Sequence, residues 1–288
     1  MFGPGGIYAT PVLLNVGEAH HDGDWNFRDV SSPFTRLHYI RRGCARMDRG
    51  GEWLDLQPGR LYLTPPYLRH SYANDGPLDL VYLHIYFSGS EPAGLFDWLD
   101  VPAEVAADNG TEPILRRLLE LNPDRTLPDF DPRRYDTGPG LAQTLAGGVS
   151  DNWAVAMETE GLLCLLLARF LEGASARIAR MDQRIAAAVH YIGAHLDGRI
   201  ALEDLASAAA LSKDHFIRLF ARELSITPGQ YINRKKIEAA QLRLLLHPDM
   251  SVKQIAYGLG FDNLQYFSRL FSHLTGKSPG RYRAERQP

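Results

Sequence analysis

Arg218, Gln265 and Arg269 are the side chains of this sequence best suited to reading the edges of another molecule. An arginine fork matches the paired acceptors of guanine, and a carboxamide matches the acceptor and donor of adenine, as the DNA major groove displays them. The three sit in stretches that repeat one pattern, LEDLASAAALSKDHFIRLFARELSITPGQYI (202–232) and SVKQIAYGLGFDNLQYFSRLFSHLTGKSPGRYR (251–283). Phe220 and Phe271, Pro228 and Pro279, Gly229 and Gly280, and Tyr231 and Tyr282 lie 51 positions apart, but Leu205-Ala206 and Ile255-Ala256 lie 50 apart. The second copy therefore has one extra residue in its turn. Two copies are too few for a solenoid. Two helix-turn-helix units suit two adjacent turns of a groove, about 34 Å apart.

The elements that must present these side chains follow from the apolar spacing. In the first unit Leu202, Leu205 and Ala206 give one helix a buried face, and Phe216, Leu219 and Phe220 give the next helix another. Leu211-Ser212 makes the turn, with Ser212 as N-cap. Lys213, Asp214, Ile217, Arg218 and Arg222 then point outward. In the second unit Ile255, Ala256 and Leu259 pack on Phe267, Leu270 and Phe271, with Gly260 at the turn and Asp262 as cap. That leaves Asn263, Leu264, Gln265, Ser268 and Arg269 outward. A long helix from about Pro228 to Leu246 carries Arg234, Lys235 and Lys236, which suit spacing and phosphate contact.

The segment GLGFDNLQYFSRLFSHLTGKSPGRYR closely resembles the signature of the AraC/XylS family of bacterial transcription regulators, and the likeness runs from about Met181 to Arg283. The resemblance implies a seven-helix domain that sets both recognition helices in successive major grooves of operator DNA, with RNA polymerase as a further partner. Asp214 and Ile217 depart from the larger or polar residues common there, so base reading by the first unit rests on Arg218.

Bulk properties agree. The 288 residues point to two domains. The net charge of −3 is split, with 17 Lys and Arg against 10 Asp and Glu from Arg177 onward, a balance of +7 that leaves −10 for the rest. One basic half is what phosphate contact requires. No apolar run is long enough for a membrane span, no secretory leader is visible, and Cys44 and Cys164 form no disulfide framework. A cytoplasmic protein is expected. Its divisions are a ligand-sensing and dimerisation domain (1–172), a linker (173–181) and a DNA-binding domain (182–288).

Up to about Phe87 the text reads as β, with runs at Phe34–Ile40, Cys44–Met47, Glu52–Leu56, Arg60–Thr64 and Leu78–Phe87 between tight turns. A barrel of jelly-roll type is expected, so the fold class is α+β in two domains. Helices follow at Glu112–Leu121 and Trp153–Leu171, and the second has more leucine than one face needs, which suggests a homodimer contact. Gly173–Ala176 reads as a hinge. GRLYLTPPYLRHSYAN (59–74) resembles the second cupin motif at Gly59, Pro65, His70 and Asn74, with Tyr67 in place of its glycine. The preceding strands supply only His38 and no carboxylate, and His20-His21 lie outside the motif, so no metal or other cofactor is expected. His70 is either a structural hydrogen-bonding residue or a ligand contact.

Without a metal the barrel reads as a pocket for a small polyhydroxylated effector. Trp25, Tyr72, Tyr82 and His84 would supply stacking faces and polar tips, and Arg28 a multi-donor clamp. HSYANDGPLDLVYLHIYFSGSEPAGLFDWLDVP is similar to the sensor of a sugar-responsive member of the same family. Alignment puts Arg28, Tyr72, Tyr82 and His84 at its ligand-contacting positions. Arg28 and Tyr72 agree in type, whereas His84 replaces a tryptophan and Tyr82 a histidine. Together these imply a ligand-responsive activator of carbohydrate metabolism genes, with the effector acting on an N-terminal arm (Met1 to about Asn15) or on the Trp153 helix. Two rivals remain: a cupin metalloenzyme fused to a DNA-binding domain, and a constitutive DNA-binding protein with a structural barrel.

Overall fold

A computed structural model describes residues 10–88, 95–132, 152–176 and 180–284. The chain divides into two compact units. One comprises Thr10–Ser88 and Val101–Ser175, and the described part of the other joins Leu95–Asp100 to the helices after Ala176.

The first unit is built on two antiparallel sheets. Strands β1 (Thr10–Asp22), β2 (Phe27–Val30), β3 (Thr35–Gly43), β4 (Ala45–Arg49), β5 (Trp53–Leu56), β6 (Arg60–Thr64), β7 (His70–Ala73) and β8 (Pro77–Ser88) come first. In chain order helix α1 (Leu95–Trp98) and strand β9 (Leu99–Asp100), both of the other unit, precede β10 (Glu104–Ala106). One sheet has the order β1-β8-β3-β6-β10 and the other β2-β7-β4-β5. Between them lies a core that includes Trp25, Ile40, Met47, Leu56, Tyr62, Tyr72, Leu80 and Tyr82. The five expected runs are strands, joined by β1, β2 and β7. Thr10–Asn15, expected in a movable arm, instead opens β1, where Thr10 pairs with Ser88 and Asn15 with His84. Met1–Ala9, the rest of that arm, lies outside the described residues.

Two details explain the motif at 59–74. Tyr67 has φ +61° at the position where the motif has glycine, so the turn demands a left-handed residue whatever its side chain. Asn74 ties three loops together. Its Oδ1 accepts from the Gly23 amide at 2.9 Å, and its Nδ2 donates to the carbonyls of Gly76 at 2.8 Å and Cys44 at 3.3 Å.

Helix α2 (Thr111–Leu121), a 3-10 turn (Pro123–Arg125) and α3 (Trp153–Glu172) complete this unit. Arg117 holds Glu158 through two bonds of 2.6 and 2.9 Å, which fixes α2 on α3. Leu163, Leu166, Leu167 and Phe170 are buried, while Trp153, Met157 and Leu165 are more than half exposed.

The second unit has seven helices among the described residues after Arg180: α4 (Gln183–Ala194), α5 (Leu202–Ala208), α6 (Lys213–Leu224), α7 (Pro228–Leu246), α8 (Val252–Gly258), α9 (Leu264–Thr275) and α10 (Pro279–Ala284). No helix of the described residues is long and apolar enough to cross a membrane.

Candidate functional site

Helices α5–α6 and α8–α9 are the two helix-turn-helix units. Each turn needs one left-handed residue, Ala210 (φ +52°) in the first and Gly260 (φ +70°) in the second. Any Cβ at Gly260 would strike the backbone of Gly198 and Arg199, so glycine is required there by space as well as by φ. Phe216, Leu219 and Phe220 are buried under α6, and Phe267 and Phe271 under α9. The following helices seal each unit with an edge-to-face contact, Phe220–Tyr231 at 5.6 Å and Phe271–Tyr282 at 5.3 Å. Ser212 caps α6 as expected. The cap of α9 is Asn263 rather than Asp262, with its Oδ1 accepting from the amides of Gln265 (2.8 Å) and Tyr266 (2.9 Å). The extra turn residue moves the cap by one, and Asn263 is thereby committed to holding the helix end.

The outward side chains fall into two groups. Arg218 and Arg269 occupy the same, sixth position of α6 and α9, are exposed, and have no ion pair among the described residues. Asp214 and Gln265 are exposed one turn earlier, and Ile217 and Ser268 are half-buried beside the arginines. The other cations are engaged. Lys213 pairs with Glu203 at 2.6 Å and Arg222 with Glu223 at 3.0 Å, and Arg234 lies 3.7 Å from Glu238 and over the Tyr231 ring. Lys235 and Lys236 correct the expectation of phosphate contact, because both are buried. Lys235 sits 2.6 Å from Asp97 of α1 and 2.8 Å from Glu238, and Lys236 donates to the Gly198 carbonyl at 2.6 Å. Burial alone would lower the Lys235 pKa, but the two carboxylates outweigh it and keep the ammonium charged.

In the barrel, register decides which polar groups meet. Asn15, His84, Arg36 and Thr64 lie side by side on β1, β8, β3 and β6, and one step along lie Gly17, Tyr82, His38 and Tyr62. His84 takes one tautomer, in which Nδ1–H donates to Asn15 Oδ1 at 3.3 Å and Nε2 accepts from Arg36 at 3.1 Å. Arg36 also donates to Ser32 Oγ at 2.6 Å. Tyr72 stacks on Trp25 at 4.0 Å and takes the edges of His38 (5.6 Å) and His70 (4.9 Å). The cavity enclosed by His21, Trp25, His38, Tyr82 and His84, with Leu127 and Phe130, has a volume of about 10 Å³, room for one water molecule.

Burial, reinforced by the Arg36 guanidinium, holds His38 and His84 well below the usual imidazole pKa and brings His70 to about 3. His21 is also lowered by burial, against the opposing pull of Asp24. His70 donates from Nδ1 to the Leu68 carbonyl at 2.8 Å and does not line the cavity. Arg28 needs correction, since its side chain is exposed on β2 and lines no part of the cavity. The buried guanidinium beside His84 belongs to Arg36, which sequence reasoning missed along with Ser32, His21 and Phe130. Among the described residues no cluster of three or more His, Cys, Asp or Glu is placed to hold a metal. A larger cavity, about 280 Å³, lies between the start of β1, Asn122, Arg125 and the first turns of α3.

Residues 205–285 match the helix-turn-helix domain family, and residues 15–140 match the AraC-like ligand-binding domain family. The chain is 36% identical over 104 residues to the regulatory protein PocR of Salmonella typhimurium, covering 36% of this chain and 34% of that protein. It is 27% identical over 250 residues to the arabinose operon regulatory protein of Escherichia coli, covering 86% of this chain and 80% of that protein. The matched region of the first curated relatives spans about a third of their length. Among solved structures, the DNA-binding domain of AdpA in complex with a target DNA is 30% identical, covers 35% of this chain and 90% of that chain, and has a TM-score of 0.34.

Proposed function

We propose that the chain is an effector-responsive, sequence-specific DNA-binding regulator of the AraC/XylS family rather than an enzyme, a reading supported by its matches to the helix-turn-helix and AraC-like ligand-binding domain families. It would act in the cytoplasm as an activator of carbohydrate metabolism genes, working with RNA polymerase. The observation that carries the DNA-reading role is the pair Arg218 and Arg269, exposed and without an ion pair among the described residues, at the same position of two recognition helices. Gln265 reads beside Arg269, while Lys213, Arg222 and Arg234 serve the backbone. Arg269→Ala should cost about 1–3 kcal/mol and relax preference at one or two adjacent base pairs, measured over a randomised operator. Equal weakening on every sequence would make Arg269 a phosphate contact.

The effector site is the barrel interior. His21 Nε2 and His38 Nδ1 are buried there with no hydrogen-bond partner among the described residues, and neutral imidazole nitrogens can accept from hydroxyl donors. Trp25 and Tyr82 offer faces for the C–H side of a monosaccharide, whereas Tyr72, expected as a ligand contact, stacks on Trp25 and does not line the cavity. His84, held from behind by Arg36, takes the polar role first given to Arg28. The chain would act as a homodimer through α3. The filled interior also favours a second reading, a constitutive binder with a structural barrel. A melting-temperature screen of the full chain against monosaccharides decides between them, since stabilisation by none would favour the second.

A further inference from the structure

We propose that Leu127–Phe130 form an internal plug that occupies the effector cavity and is expelled when ligand enters. This rests on reading the barrel interior as the effector site. The Leu127 amide donates to the Tyr82 hydroxyl at 2.8 Å, across 45 residues of sequence. The Phe130 ring stands edge-on to Tyr82 at 5.9 Å and to His21 at 5.2 Å. Both side chains pack on the interior cluster, whereas Thr126 and Pro128 between and before them are exposed. The barrel is shaped to receive this strap, because any Cβ at Gly17 would collide with the Tyr82 ring and hydroxyl in the position that meets Leu127.

The remaining volume of about 10 Å³ cannot hold a monosaccharide, since small-molecule pockets run to roughly 300–1,000 Å³. Something must leave, and of the lining residues in neither sheet Trp25 is held by its stack on Tyr72 at 4.0 Å, which leaves the strap. Its grip is also incomplete: Leu127 and Phe130 line the cavity together with His21 and His38, and they satisfy neither His21 Nε2 nor His38 Nδ1. A ligand with hydroxyl donors satisfies both, and can take over the Tyr82 hydroxyl as well. Strap and ligand therefore compete for the same groups, with the ligand making bonds the strap cannot.

The strap is tied to strand β1 and helix α3, which would feel its departure. Arg125 donates to the Leu13 carbonyl at 2.6 Å, and Asn122, just before the 3-10 turn, donates to Thr159 Oγ1 of α3 at 3.1 Å. Expulsion pulls on both anchors, so occupancy of the cavity reaches the exposed face of α3.

Hydrogen exchange resolved at single amides on the full-length chain tests this without any ligand. The Leu127 amide should exchange faster than the β1 and β8 amides, and Phe130→Ala should speed it a further tenfold or so while leaving those strands unchanged. Exchange of Leu127 only at the rate of the barrel strands would overturn the proposal. In a second arm L-arabinose, D-xylose and D-glucose are the probes. Whichever one binds should bind Phe130→Ala about tenfold more tightly and deprotect Leu127. Binding with Leu127 still protected, as at the larger cavity by α3, would also overturn it. If the strap opens independently but no sugar binds, the plug stands and the sugar assignment falls.

Discussion

The buried histidines of the barrel are neutral for a common reason: each has lost its water, and the charged Arg36 lies near three of them. That neutrality has a pH cost with a definite sign. A histidine whose pKa is lower in the folded than in the unfolded state stabilises the fold above the unfolded value, near 6.5, and the stability is lost as pH falls below it. His70, brought to about 3, should by itself cost about 2 kcal/mol between pH 6.5 and pH 5. Denaturant titrations of the full chain followed through tryptophan fluorescence should show this loss, with a smaller pH slope in His70→Gln. An unchanged midpoint from pH 7 to 5 would mean these imidazoles accept protons in the folded state. The same residues mark where the sequence stopped being legible. Thr35, Arg36, Leu37 and His38 are all buried, so β3 shows no alternation from which Arg36 could be placed inside. Arg28 lies in a four-residue strand whose pairing with β7 contains an irregularity, so counting by twos did not fix its face.

Among the elements, the recognition helices were the most readable because their signals are local. Aromatic spacing fixed the buried faces of α6 and α9, and only the added turn residue shifted a cap from Asp262 to Asn263. The long helix α7 was the least readable. It is covered on nearly every side, so its lysines could not be told from surface charges by periodicity. Helix α3 is legible in part: its surplus of apolar residues resolves into a buried row and an exposed row, Trp153, Met157 and Leu165, at spacings of four and eight. If that exposed row is a subunit contact, full-length protein should sediment as a dimer at micromolar concentration, and Met157→Glu combined with Leu165→Glu should sediment as a monomer with an unchanged melting profile. A dimer that survives both charges would move the contact elsewhere.

For the molecule as a whole, the least anticipated feature is that α1, although its sequence lies between two strands of the barrel, folds with the helical unit. Trp98 is buried there and Asp97 closes the buried cluster with Lys235 and Glu238. Removing the cation leaves two carboxylates facing each other away from water, so Lys235→Ala should lower the stability of the helical unit by about 3–5 kcal/mol. Calorimetry of the full chain would register the loss in one transition, and a change below 1 kcal/mol would mean the cluster is solvated. The parts of this protein are consequently not interchangeable at a single junction. A chimera that joins another sensor at about residue 176 would inherit Lys235 without Asp97, and a workable exchange of sensors between relatives must carry the α1 segment across with the DNA-reading half, as two crossovers rather than one.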